Sequence, residues 1–315
     1  MSRIAIVGTG LVGTSIGLAL KARKGDFEIV GHDREYGRAL DAKKLGALDR
    51  AEWNLPSALE KASLVVVATP LNAMERLFSQ MAEFLEPECI VTDTANLKAP
   101  TLAWAEAAWG ERVHYVGGDP IVGLDGDRKP AATLFQGRTY CVIASPTASS
   151  PAVDQVIRFV NALGADPLFL DPTEHDSYVA MVSQLPSFLA SGLMAVAAGS
   201  SSWRDGQRLA GRVFSAATEA SQEDSDELLT QFVSNREVLA GWILALQNQL
   251  ADLGRLLDDD PAELRKALAA ARDRRAAWRP GAGPKPEDAP VDLPRARDQF
   301  SSWFFGGLAG RQKRP

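Results

Sequence analysis

Cysteine is scarce in this chain, with two residues among 315. Both of them, Cys89 and Cys141, stand inside apolar strand-like runs, CIVTD and TYCVIA. Buried, reduced thiols are the expectation there, and a disulfide framework is excluded. An excess of positive charge is missing too. Thirty-four lysines and arginines face 40 aspartates and glutamates, a net charge of −6, which argues against a general nucleic-acid binder. No apolar run reaches the ~18–20 residues that a membrane span needs. MSRIAIVGTG enters a strand directly, so no leader peptide is expected. These absences point to a soluble, acidic, cytoplasmic protein with no metal site, of a length that suits two domains.

The first positive feature is a β-rich run, RIAIVG, followed by helical spacing in TGLVGTSIGLALKAR. Between them stands Gly8-Thr9-Gly10-Leu11-Val12-Gly13, a G-x-G-x-x-G that closes a strand and opens a helix. That context is what the dinucleotide fingerprint requires. Gly8 allows the tight turn, Gly10 lets backbone approach a pyrophosphate, and Gly13 lets helix and strand pack closely. FEIVGHD, the second strand, ends at Asp33, which can accept from adenosine ribose hydroxyls and repel a 2′-phosphate. NAD is therefore expected over NADP, although Arg34, next in the chain, could meet that phosphate instead. LVVVATP (64–70), CIVTDTANLK (89–98), HYVGGDP (114–120) and TYCVIAS (139–145) continue the strands, with a helix from Asn72 to Phe84. The alternation is that of an α/β Rossmann domain, a doubly wound, mostly parallel sheet over residues 1–170. Ligands of such sheets bind beyond the carboxyl ends of the strands. Thr69-Pro70, Asp93 to Lys98 and Gly117 to Gly123 lie at such ends, so Asp119 is expected on the ligand-facing edge.

From residue 171 the pattern turns helical. Val179, Val182, Leu185, Leu189, Leu193 and Val196 recur at three- and four-residue steps, with N-cap candidates at Asp171 to Thr173 and an expected kink at Pro186. Further helices are expected near 206–218, 224–252 and 260–277. Residues 171–278 thus read as an all-α domain that completes the substrate site and pairs two subunits. The segment 279–315 divides into a proline-rich linker and an aromatic, basic tail. A tail packed on its own dimer, a free end and a surface anchor are all open readings of it.

These segments together resemble the prephenate and arogenate dehydrogenase family of tyrosine biosynthesis. The resemblance runs from residue 1 to about 278, on GTGLVGTSIGLALK, GHDR, VVVATP, TDTANLK, VGGDPIVG, LFQGRTYCVIASP, HDSYVAMVSQLPSFLA and WRDGQRLA. It implies an NAD-dependent homodimer with a helical dimerisation domain. The implied reaction moves hydride from ring C4 of a dicarboxylic cyclohexadienyl acid to NAD, with loss of CO2. The chain departs from the family where the chemistry lies. A family histidine in GGHP, which hydrogen-bonds the C4 hydroxyl, is replaced by Asp119. A supporting serine is replaced by Asn96, and SHLPH is replaced by Ser183-Gln184-Leu185-Pro186-Ser187. None of the three histidines, His32, His114 and His175, fills these places. His175 matches a family histidine at the helix start, where helix capping is the expected role.

Asp119, Asn96 and Gln184 are accordingly the catalytic candidates. Arg208 matches the family arginine that grips a substrate carboxylate, with Arg204 four residues earlier on the same helix face, Arg212 extending the row, and Ser183 as a further substrate contact. A carboxylate is a weaker base than imidazole near neutral pH, and a general base typically contributes ~10²–10⁴-fold. Burial against Ile121 and Val122 would offset part of that difference. Asp119 is also compatible with a C4-ammonium substrate such as 4-amino-4-deoxyprephenate, with a residue that only shapes a turn, or with a non-catalytic NAD-binding dimer.

Overall fold

The computed structural model describes residues 2–23, 25, 27–122 and 129–278. The expected linker and tail, 279–315, and the end of the GGDPIVG loop at Gly123 lie outside the described residues. In chain order the first half comprises β1 (Ser2–Val7), α1 (Leu11–Ala22), β2 (Phe27–His32), α2 (Tyr36–Lys44), β3 (Arg50–Glu52), α3 (Leu55–Leu59) and β4 (Ala62–Val67). It continues with α4 (Leu71–Met81), β5 (Ile90–Asp93), α5 (Ala99–Trp109), β6 (His114–Pro120), β7 (Thr139–Ala144), α6 (Ser150–Leu163) and β8 (Asp166–Phe169). The eight strands form one sheet in the order β3-β2-β1-β4-β5-β6-β7-β8. All pairings are parallel except that of β6 with β7. This is the doubly wound, mostly parallel sheet that the alternation implied.

Side chains alternate across a strand, so a sheet covered by helices on both faces needs apolar residues at nearly every position. Ile4, Ile6 and Ile29 pack on one face with Ile16 and Leu20 of α1 and Phe159 of α6. Ala5, Val7 and Val65 pack on the other with Met74 and Phe78 of α4 and Trp109 of α5. Two edge strands, β3 and β8, were not legible in the sequence. RAE and DPLF are too short and too polar or proline-bearing to announce themselves, as suits edges that must not recruit other chains.

In the second half, α7 (Pro172–Val179) and α8 (Leu185–Gly199) are joined through a π-helical turn, Ala180–Gln184. The expected kink at Pro186 is therefore resolved differently. The wider turn sits just ahead of the proline, where the missing N–H would otherwise interrupt the ladder. Taken as one helix, Pro172–Gly199 is long and apolar enough by length and composition to cross a membrane, contrary to the expectation from uninterrupted runs. The polar residues Ser183, Gln184 and Ser187 break the run without breaking the helix. Leu189, Leu193 and Val196 are exposed along α8.

Next come α9 (Trp203–Gly206), a 3₁₀ turn at Gln207–Leu209, α10 (Arg212–Thr218), α11 (Ser225–Ser234), α12 (Arg236–Asp259) and α13 (Pro261–Ala277). The expected helix over 206–218 is broken around Gly206 and Gly211, and that over 224–252 is broken at Asn235 and runs on to Asp259. Two compact units divide the chain, one ending at Gly254 and one starting at Arg255. Just beyond the expected boundary at residue 171, His175 and Asp176 of α7 are buried at the strand exits. In the second unit, Asp260 caps α13 by accepting from Ala262 and Glu263 N–H.

Candidate active site

The glycine turn joins β1 to α1 under tight steric limits. Gly8 has φ +93°, and a Cβ there would lie 2.4 Å from the Ala68 carbonyl oxygen. A Cβ on Gly13 would lie 1.9 Å from the Gly8 carbonyl oxygen. Gly10 differs, with nothing among the described residues within 4 Å of its Cβ position. Gly10 also begins α1 with no side-chain cap, so the first N–H groups of the helix, at Leu11, Val12 and Gly13, have no intrahelical acceptor, and such a helix start makes an anion cradle. Asp33 is held beside it. One carboxylate oxygen accepts from Thr9 N–H (2.8 Å) and the Thr9 hydroxyl (3.2 Å), the other from Glu35 N–H (2.9 Å). Arg34 is exposed. Across the turn, the Thr69 hydroxyl is buried without a partner among the described residues, and Pro70 leads into α4. The open cradle, the fixed acid and the orphaned hydroxyl fit a dinucleotide.

A second polar centre lies at the ends of β5 and β6. Asp93 and Lys98 form an ion pair of 2.6 Å with both side chains fully buried. Lys98 Nζ also donates to Gly118 O (2.7 Å), while Asp93 Oδ1 accepts from Tyr115 Oη and Gly118 N (2.9 Å each). Burial first, and then the Asp93 carboxylate, push the Tyr115 and Tyr140 phenols well above their ordinary range. Gly118 leaves no room for a side chain, since a Cβ there would lie 2.7 Å from both Asp93 O and the Tyr140 ring. This frame fixes the backbone just before Asp119.

Asp119 is buried, 6% exposed, and paired in register with Cys141 of β7. Its Oδ2 is 3.2 Å from His175 Nε2, and His175 Nδ1 is 2.9 Å from Asp176 Oδ1. His175 is therefore no helix cap. Asp171 fills that role, accepting from Thr173 and Glu174 N–H, and the His175 ring turns inward. Burial alone would push this imidazole down. Hydrogen bonds to Asp119 and Asp176, assisted by Cys141, override it and raise the group to about 11.

Asp176 has a further task. It accepts from Lys98 N–H (2.8 Å) and Ala99 N–H (2.9 Å), capping α5, which has no side-chain cap of its own. Glu227 of α11 does the same for α4, accepting from Leu71 N–H (3.1 Å) and Asn72 N–H (3.2 Å). Two helices that follow sheet strands thus receive their caps from the helical half.

Asn96 and Gln184 belong to this seam and not to Asp119. Asn96 Nδ2 donates to Gln231 Oε1 (2.8 Å). Gln184 donates to Gln231 O (3.1 Å) and accepts from Asn235 Nδ2 (3.0 Å), which also holds Asp176 O (2.9 Å). Neither hydrogen-bonds Asp119 among the described residues. Ser183 is exposed on the π-turn. Arg204 and Arg208 are exposed as well, in two short helical pieces that follow one another. The α-helix ends at Gly206, Arg208 lies in the 3₁₀ turn, and Arg212 opens a separate helix beyond Gly211. Sequence reasoning passed over Lys98, Asp176, Glu227, Gln231 and Asn235. Lys98 and Asp176 stood inside the quoted runs TDTANLK and HDSYVAM, but nothing local marks their burial.

Residues 16–168 match the family model described as prephenate dehydrogenase, nucleotide-binding domain, and residues 171–270 match prephenate dehydrogenase, dimerization domain. The chain belongs to the prephenate dehydrogenase family. Curated family members include prephenate dehydrogenases of Lactococcus lactis, 31% identical over 198 residues, and Bacillus subtilis, 28% identical over 194. Those alignments cover 62% and 61% of this chain, and 53% and 52% of the relatives. The chain thus spans about half the length of these curated relatives. Among solved structures, prephenate dehydrogenase from A. aeolicus in complex with hydroxyphenyl propionate and NAD+ superposes with a TM-score of 0.80 at 22% identity, covering 88% of this chain and 98% of that one. This likeness is one of fold.

Proposed function

We propose that the chain is an NAD-dependent dehydrogenase that oxidatively decarboxylates prephenate or arogenate towards tyrosine. The observation that carries this reading is the placement of Asp119. It stands at the carboxyl end of a sheet strand, held by His175, and the resemblance implies that this is the position of the family's histidine. The Gly8–Gly13 cradle, Thr69, Pro70 and Asp33 would hold the dinucleotide, whose nicotinamide supplies the hydride acceptor when bound. Hydride leaves ring C4, the ring carboxylate departs as CO2, its bonding pair completes the aromatic ring, and the C4 hydroxyl proton, held by Asp119 as hydride leaves, returns to the phenolate oxygen. Arg208 and Arg204 are the cations on hand for the substrate carboxylates. The exposed Leu189, Leu193 and Val196 of α8, within the segment matched to a dimerization domain, support a homodimer, and the free, buried Cys89 and Cys141 suit a reducing cytoplasm.

A second reading is favoured by the same residue. A carboxylate pairs with a C4-ammonium better than an imidazole does, which suits 4-amino-4-deoxyprephenate. NADH formation by the purified protein with prephenate, arogenate and the amino compound separates these. Turnover of either of the first two supports the main reading, preference for the third supports the second, and silence with all three despite bound NAD rejects both.

A further inference from the structure

One imidazole lies between two carboxylates. His175 meets Asp119 through Nε2 and Asp176 through Nδ1, at 3.2 and 2.9 Å, and no side chain of the three is more than 9% exposed. A neutral imidazole donates from one nitrogen only, whereas two carboxylate acceptors call for two donors. The arrangement is that of an imidazolium. The groups facing the ring are Asp119 on β6, Cys141 on β7 and Asp176 on its own helix. Tyr140 approaches Asp119 from β7, and Lys98 is already matched by Asp93. Asp176 cannot swing away, because it also receives the Lys98 and Ala99 N–H groups.

We propose that His175 is the positioning residue of Asp119, a fixed cation that occupies one carboxylate oxygen and leaves the other to the substrate. That second oxygen has no partner among the described residues. The inference rests on the functional reading above and narrows it. The substituent on the ring carbon that releases hydride must donate a hydrogen bond to Asp119, so hydroxyl and ammonium are accepted and an ether is not. A hydroxyl's proton passes to the free oxygen of Asp119 and returns to the ring oxygen once CO2 has left, whereas an ammonium's proton goes on from Asp119 to water. His175 carries its own proton throughout and relays nothing.

The test combines charge state with kinetics on the full chain. Nitrogen NMR of histidine-labelled protein should give His175 as an imidazolium at about pH 9, far above where a free histidine titrates. In Asp119→Asn that signature should move towards neutral pH. With whichever acid the wild type oxidises, His175→Gln should lower kcat at least tenfold and shift the acid limb of the kcat/KM profile. Asp119→Asn should abolish that limb. A neutral His175 at that pH overturns the proposal whatever the turnover, as does a His175→Gln profile identical to wild type. If His175→Gln fails to fold, the NMR titration of wild type against Asp119→Asn decides. An imidazolium in a protein that oxidises none of the acids keeps the ion pair, rejects its part in the reaction, and rejects the functional reading with it.

Discussion

Lys98 and Asp93 face each other across 2.6 Å with no solvent reaching either side chain. Asp93 has donors in Tyr115, Gly118 and Ala95 besides, but among the described residues only Lys98 matches its charge there. Removing one partner of such a pair typically costs ~3–5 kcal/mol, because the other charge stays buried. Lys98→Met is expected to lose stability on that scale in denaturant unfolding. A loss below ~1 kcal/mol would mean that the three neutral donors satisfy the carboxylate by themselves.

The glycine turn supplies a contrast between two single methyl groups. Gly13→Ala drives a Cβ into the Gly8 carbonyl and is expected to cost ~1–3 kcal/mol or more. Gly10→Ala meets nothing and should keep stability within ~1 kcal/mol. Its added methyl instead occupies the cradle, so NAD affinity by calorimetry should fall at least tenfold. Equal NAD affinity in Gly10→Ala and wild type would remove the cradle from the binding site.

Glu227→Ala leaves the first N–H groups of α4 without a cap and should cost ~0.5–2 kcal/mol. Hydrogen exchange should accelerate at Leu71 and Asn72. Glu227→Gln, which keeps one acceptor oxygen, should recover part of both effects. Unchanged exchange at these two amides would show that Glu227 does not hold them in solution.

His175 links stability to alkaline pH. Its folded-state value, about 11, lies above the unfolded value of ~6.5. The stabilisation is therefore complete below ~6.5 and is lost as the pH rises from there through about 11. Unfolding midpoints across this window should fall more steeply for the wild type than for His175→Gln. Parallel curves would show that the ring does not gain its proton on folding.

Arg208→Ala is expected to raise KM for the ring acid tenfold or more with little change in kcat, since a carboxylate grip is lost in ground and transition states alike. Arg212→Ala, on a separate helix beyond Gly211, should leave KM within twofold, a difference of ~0.4 kcal/mol. Equal effects from both would restore the reading of a continuous arginine row.

What the sequence disclosed follows the range of each interaction. The glycine turn was legible because its spacing, its strand and its helix are contiguous. The position of Asp119 followed from the rule that strand ends face the ligand. Its partner was not legible, because Asp119 and His175 are 56 residues apart and a histidine at a helix start reads locally as a cap. The partners of Asn96 and Gln184 were not legible either, because Gln231 lies 135 and 47 residues from them and Asn235 lies 51 residues from Gln184. The broken helices around Gly206, Gly211 and Asn235 went unread because apolar spacing continues across them.

The borrowed caps also set an order in time. A ribosome delivers the chain from its N-terminus at ~5–20 residues per second. Leu71 is made 156 residues before Glu227, which amounts to roughly 8–30 s at that pace, and Lys98 precedes Asp176 by 78. Through that interval α4 and α5 must exist with bare ends or wait unformed. The nascent sheet is thus completed from behind, by residues not yet translated when its strands emerge.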